Sequence, residues 1–233
     1  MSVRPSSHYH CASSVTLVLI IQKLDGQQCL RLLRYRQQTN RRGKRFYFLR
    51  GYLSREVRCL MEVFEAIKNR RSVRAYKKQE LPPDSVEKLL EAARWAPSAG
   101  NVQPWAFVIV SSPQTKRNLS SAAYGQRDLE EASVVIVVCA DEKRAEQNYG
   151  LRGKTLYCLQ DTAAAVQNIL LTAYSLGLGS CWIGAFKEEE VRKVINAPRE
   201  MRPVALIPIG YPNESPSPRN RRPVSEIMHE ETF

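Results

Sequence analysis

Three arginines and a serine fall within five positions, Arg70, Arg71, Ser72 and Arg74, and form the most chemically pointed cluster in the chain. A guanidinium is planar, always charged and carries a fork of donors that matches phosphate oxygens, and a serine adds a hydroxyl. On one short turn these groups can converge on a terminal phosphate. The plainer use of the same residues is to end a helix, where basic groups favour the dipole. A second basic group, Arg219, Arg221 and Arg222, precedes Pro223 in a proline-rich tail. Two further stretches lie between, Pro97-Ser98-Ala99-Gly100-Asn101-Val102-Gln103-Pro104-Trp105 and Gly177-Leu178-Gly179-Ser180-Cys181-Trp182-Ile183-Gly184. Glycines of this kind let a backbone approach a ligand closely, or simply cap a helix. His8, His10 and His229 sit near the termini and suggest no catalytic base. With no Ser-His-Asp or Cys-His arrangement, no protein nucleophile is indicated. No G-x-G-x-x-G follows a strand, so no separate dinucleotide fold is indicated.

The elements that must position these residues follow from periodicity and punctuation. Val63, Phe64 and Ile67 keep helical spacing and end at Asn69-Arg70-Arg71; Pro82-Pro83-Asp84 opens a second helix with Val86, Leu89, Leu90 and Ala93 on its apolar face. Trp105 to Val110 reads as a strand, and Pro113 opens a short helix toward Ala123. Val134 to Ala140 is apolar on both faces and predicts a central strand. Leu156 to Leu176 predicts the longest helix, about 30 Å at 1.5 Å per residue, stopped by Gly177. Ser180 to Ile183 and Val204 to Ile209 predict strands, Glu188 to Ile195 a helix, and Pro212 to Pro223 an extended tail. The alternation implies an α+β fold, a three-layer α-β-α sandwich with a mixed, mainly antiparallel sheet.

Charge divides the chain. Residues 1–60 hold 12 Lys and Arg against two acids, net +10, leaving +2 of the +12 total for residues 61–233. A duplex-binding surface needs its basic residues on the folded domain itself, so this distribution argues against nucleic acid as a partner. The first segment carries a hairpin signal at Asp25-Gly26 and a basic-aromatic run from Arg41 to Phe48, which keeps one rival reading alive: a nucleic-acid-binding segment appended to a scaffold. Residues 1–60 thus read as an accessory extension of uncertain status, and 61–233 as the main domain. Apolar-rich runs of 7 residues, at Val15 to Ile21 and Val134 to Ala140, are far short of a membrane span of roughly 20. No small-x-small cleavage site follows the first run, and the six cysteines make no C-x-x-C pair; a reducing cytoplasm is expected.

In order and spacing, the four blocks at 70–74, 97–105, 161–184 and 219–223 resemble the FMN-dependent nitroreductase family, over Met61 to about Ile227. The resemblance implies an FMN-dependent enzyme that takes hydride from NADH or NADPH and passes it by a ping-pong scheme to a nitro compound or quinone. It implies that Arg70, Arg71 and Ser72 hold the phosphate-ribityl end, with Arg219 and Arg221 as final phosphate contacts. Arg74 falls at the N1 and C2 edge of the ring, where a cation stabilises the charge that develops on reduction. Gly184 supplies a main-chain N–H near flavin N5, with Ala185 beside it. Many relatives carry a carboxylate where Gly184 stands, which bears on substrate preference. Pro97, Ser98, Asn101 and Gln103 match the loop that reaches the flavin across the interface of a homodimer, and Gln126 matches a ribityl contact loosely. Rival readings within the family are narrower reactions, reductive dehalogenation or flavin degradation.

Overall fold

The computed structural model describes the backbone of residues 15–24, 27–39 and 45–49 and the whole of residues 63–233. These belong to two compact units, one within Met1–Glu62 and one spanning Val63–Phe233. The first contains an antiparallel sheet of β1 (Val15–Leu24), β2 (Gln27–Thr39) and β3 (Arg45–Leu49), in that order. Leu24 opposite Gln27 closes the expected hairpin. Its turn residues Asp25 and Gly26, the run Arg41 to Lys44 and the proposed domain start at Met61 lie outside the described residues.

The second unit runs α1 (Val63–Asn69), α2 (Ser85–Arg94), β4 (Trp105–Val110), α3 (Pro113–Ala122), α4 (Asp128–Glu131), β5 (Val134–Asp141), α5 (Glu142–Arg152), α6 (Cys158–Ser175), β6 (Gly179–Ser180), α7 (Glu188–Val194) and β7 (Met201–Gly210). Its sheet has the order β4-β5-β7-β6. As its composition predicts, β5 is central, antiparallel to β4 on one side and β7 on the other, and Val134 to Ala140 are buried. Alternation along the strands assigns the layers. Ile136 and Val138, with Ala205, Ile207 and Ile209, pack with Leu89 and Ala93 of α2 and Val166, Ile169 and Ala173 of α6. Val135, Val137 and Cys139, with Leu206, pack with Leu119 of α3, Leu129 of α4 and Val191 of α7. The result is the three-layer sandwich. A parallel bridge between Ser72 and Ser180 makes the otherwise antiparallel sheet mixed.

Three elements depart from their sequence reading. The strand expected over Ser180 to Ile183 is ordered as a ladder only at Gly179–Ser180, with Ile183 bridging Leu206 alone. In that register Cys181 faces Pro208: the Cys181 N–H reaches Pro208 O at 3.4 Å, but proline has no N–H to return the bond. The long helix begins at Cys158 and is preceded by a π turn, Gly153–Tyr157, and by α5. That earlier helix lacked an apolar stripe, since only Ala145 is buried; its start is fixed by Asp141 Oδ1 accepting from Arg144 N at 2.9 Å. Finally, α1 forms at the predicted place but does not bury its apolar face: Val63, Phe64 and Ile67 are 70%, 67% and 49% exposed, and Ala66 alone is buried.

Among the described residues no helix is long and apolar enough to cross a membrane. Ile136, fully buried at the centre of the sheet, tests the packing account. Ile136→Ala is expected to cost about 2–5 kcal/mol, read as a lowered urea midpoint with an unchanged slope.

Candidate functional site

Between α1 and α2 the chain from Ser72 to Tyr76 lies along the end of the sheet, and two glycines let it do so. A Cβ on Gly179 would stand 2.8 Å from Val73 Cγ1, and one on Gly210 would stand 2.9 Å from Tyr76 Cδ1. The capping reading therefore holds for Gly177 but is insufficient for Gly179. Gly177, at φ +73, ends α6 with the paired bonds of a Schellman turn, Leu178 N to Ala173 O and Gly177 N to Tyr174 O. Gly179 is needed for close approach. Val73 N donates to Ser180 O at 3.0 Å, and buried Tyr76 donates its hydroxyl to Val73 O at 2.6 Å. Burial pushes the Tyr76 phenol well above its usual range.

The C-terminal tail runs alongside. Lys77 N donates to Tyr211 O, Asn213 N to Ala75 O, and the Glu214 carboxylate accepts from the Arg74 and Ala75 amides at 2.5 and 3.2 Å. This clamp returns the tail toward the arginine turn. Arg70 is held below the ordinary arginine range by burial, then by the like charges of Arg71 and Arg221. Arg70 and Arg221, 151 positions apart in sequence, thus lie within electrostatic reach of one another. Buried Cys181 lies within electrostatic reach of Arg74 and Arg70, and burial raises its thiol although both arginines and the Ser72 hydroxyl act to lower it. Arg71 differs: its Nη1 donates to Lys68 O at 2.6 Å and Arg70 O at 2.9 Å, capping α1 in the plainer role anticipated for this cluster. Arg219 lends its carbonyl to Arg221 Nη1 at 3.5 Å, while Arg222 turns away to pair with Glu226.

Gln126 and Ala185 are brought together, with Gln126 Nε2 donating to Ala185 O at 2.9 Å. Gly184 is exposed, and a Cβ built on it meets nothing within 4 Å. Among the described residues no acceptor is found for the Gly184 or Ala185 N–H. Asp128 escaped the sequence reading because a carboxylate in a short acidic helix resembles a solvated one. It is buried, lies within electrostatic reach of Arg74, and its Oδ2 has no hydrogen-bond partner among the described residues.

Pro97, Ser98, Asn101 and Gln103 form a separate group. Ser98 Oγ accepts from Gln103 N at 3.0 Å, and Gln103 Nε2 donates to Asn101 Oδ1 at 3.2 Å. Gly100, Asn101 and Gln103 all have φ between +53 and +57. A loop so strained needs external support. Asp161 Oδ1 accepts from Ala99 N at 3.1 Å, and Arg144 Nε donates to Val102 O at 2.6 Å. Asn101 and Gln103 border a shallow depression of about 280 Å³ lined also by Arg94, Trp95 and Ala96. The loop is fixed at Asp161, near the start of α6, whereas Ser72 is fixed at Ser180, beyond its end. Fourteen residues of helix separate Asp161 from Ser175, roughly 20 Å. The two groups are thus anchored at opposite ends of α6.

Comparison with known proteins agrees with this architecture. The sequence profile of the Nitroreductase family matches residues 67–128 and 119–211. A Methanothermobacter thermautotrophicus protein named as an NADH dehydrogenase/NAD(P)H nitroreductase is 38% identical over 165 residues, covering 69% of this chain and 82% of its own. An NADH dehydrogenase of Thermus thermophilus is 34% identical, covering 72% and 96%. The solved NfrA1 nitroreductase of Bacillus subtilis superposes with a TM-score of 0.67 at 30% identity, over 73% of this chain and 74% of that one. The chain belongs to the nitroreductase family.

The buried carboxyl makes a prediction about pH. Burial raises Asp128 above the usual carboxylate range, so the folded state binds its proton more tightly than the unfolded chain. As pH rises from the unfolded value of about 3.9 through the raised folded one, this residue's contribution to stability is lost. Asp128→Asn removes that loss. The variant is expected to gain thermal stability over wild type progressively as the pH is raised from about 3.5, near the unfolded value. A midpoint difference that is independent of pH would contradict the assignment.

Proposed function

We propose that residues 61–233 form an FMN-dependent oxidoreductase domain, active as a homodimer, that oxidises NADH or NADPH and reduces a small acceptor such as a nitro compound or quinone. Residues 1–60 are an extension to it. One observation carries the reading: the Ser72–Tyr76 segment docks on β6 and ties the C-terminal tail to itself through Ala75, Lys77 and Glu214, which brings Arg221 within electrostatic reach of Arg70. A cluster of cations held against mutual repulsion suits a dianionic phosphate. Family membership supports the rest, as does a Bacillus subtilis FMN reductase (NADPH) 31% identical over 182 residues.

In this reading bound FMN supplies the redox chemistry, with two electrons arriving from NAD(P)H and two leaving to the acceptor in ping-pong order. Arg70, Ser72 and Arg221 hold the phosphate end, with Arg219 beside them, and Arg71 contributes charge while its guanidinium caps α1. Arg74 places a cation where negative charge develops on reduction. The main-chain N–H of Gly184 would serve the reactive edge with Ala185 beside it, and Gln126, bonded to Ala185 O, would contact the ribityl chain. Pro97, Ser98, Asn101 and Gln103, anchored at the opposite end of α6 from Ser72, would serve the partner's arginine cluster in such a dimer. The unburied face of Val63, Phe64 and Ile67 is apolar surface that such a pairing can cover.

The purified protein is expected to release one FMN per subunit and no FAD on denaturation; release of FAD, or of no flavin, overturns the reading. Arg221→Ala should weaken FMN affinity about 10- to 100-fold, the equivalent of one charge-assisted bond, and keep near-normal turnover at saturating FMN. Arg74→Ala should also lower the flavin's reduction potential and slow its reduction by NAD(P)H when saturated. FMN titration followed by anaerobic stopped-flow reduction separates the two. A saturated Arg74→Ala protein with wild-type potential and rate would remove that residue from the ring edge.

A further inference from the structure

The long helical run from Glu142 to Ser175 is interrupted at its middle. Regular geometry stops at Tyr149, φ −136, and Gly150, at φ 57 and ψ −149, takes a conformation essentially closed to other residues. Gly153 is needed for a different reason: a Cβ there would lie 2.3 Å from Ala145 O. A π turn, Gly153–Tyr157, then leads into α6. Such turns inside helices are frequent at functional sites. Lys154 and Glu146, paired at 3.0 Å, tie the two sides of the break together.

The break presents one surface. Tyr149 sets its hydroxyl against Gly100, so closely that a Cβ on Gly100 would overlap it. Tyr157 meets the Tyr149 ring edge-on, centroids 5.4 Å apart at 80°. Arg152 backs Tyr157, donating from Nε to its hydroxyl at 2.9 Å, with its guanidinium 5.4 Å from the ring centroid. Tyr149 is nevertheless 42% exposed. A braced aromatic ring with a free surface thus stands directly against the strained loop that carries Asn101 and Gln103.

We propose that Tyr149, braced by Tyr157 and Arg152, is the acceptor-selecting wall of the redox site, favouring planar aromatic acceptors by ring contact over compact ones. This rests on the reading of the 97–103 loop as part of the flavin site. An aromatic ring already immobilised by its neighbours loses little freedom on binding, and paired rings gain beyond the area they bury. Gly100 is part of the device, because any side chain there would displace Tyr149.

The test uses the full-length protein with its flavin content measured, and compares wild type, Tyr149→Leu and Tyr149→Phe. Leucine keeps bulk and loses the ring; phenylalanine keeps the ring. For each, kcat/KM is measured with a naphthoquinone and with ferricyanide, and naphthoquinone binding is measured by calorimetry. The ratio of kcat/KM for naphthoquinone to that for ferricyanide is expected to fall about 10-fold in Tyr149→Leu, with a matching loss in binding, and to stay near wild type in Tyr149→Phe. An equal fall with both acceptors assigns Tyr149 a structural role and overturns the inference, as does an unchanged ratio. A wild-type protein that oxidises neither nicotinamide with either acceptor defeats the functional reading itself, and this inference with it.

Discussion

The contact of Val73 and Tyr76 with two glycines is the constraint on which the rest of the site depends. Side chains on Gly179 or Gly210 would hold the Ser72–Tyr76 segment off the sheet. Its bridge to Ser180 and the Tyr76 hydroxyl bond would then be lost. Arg70, Ser72 and Arg74 take their positions from this docking, and the tail takes its own from the docked segment through Lys77, Ala75 and Glu214. Arg221 comes within electrostatic reach of Arg70 once those steps have been made.

The second organising element is α6. Its buried face fills the core against β5 and β7, while the 97–103 loop is anchored near its start and the Ser72 segment just beyond its end. A rigid helix is a good spacer because its length is set by residue count. It holds the anchor of the Asn101–Gln103 loop and the turn leading to Ser180 at opposite ends, an arrangement the proposed homodimer would use. The interruption just before α6 lies at the loop end of that spacer, next to Gly100, where glycine-dependent geometry and strained backbone coincide.

What the sequence determined by itself is local and periodic. The central strand β5 was legible because seven successive apolar residues fit only a strand covered on both faces. The α2 and α6 faces were legible from 3.6-residue spacing, and the layer order followed from alternation. The candidate phosphate ligands were legible only as residue types, because arginines on one turn serve equally to end a helix, as Arg71 does. Tertiary structure decided what depends on partners distant in sequence. It turned Arg71 back onto α1 and Arg221 toward Arg70, and it gave Gly179 a packing role that a lone glycine does not advertise. It cut β6 short at the missing N–H of Pro208, a residue unremarkable until its register opposite Cys181 is known. It also buried Asp128, and it broke the helix at Tyr149 and Gly150, where polar composition left no periodic signal to interrupt. Each of these outcomes turns on which atoms meet across the fold, and spacing along the chain carries no record of that.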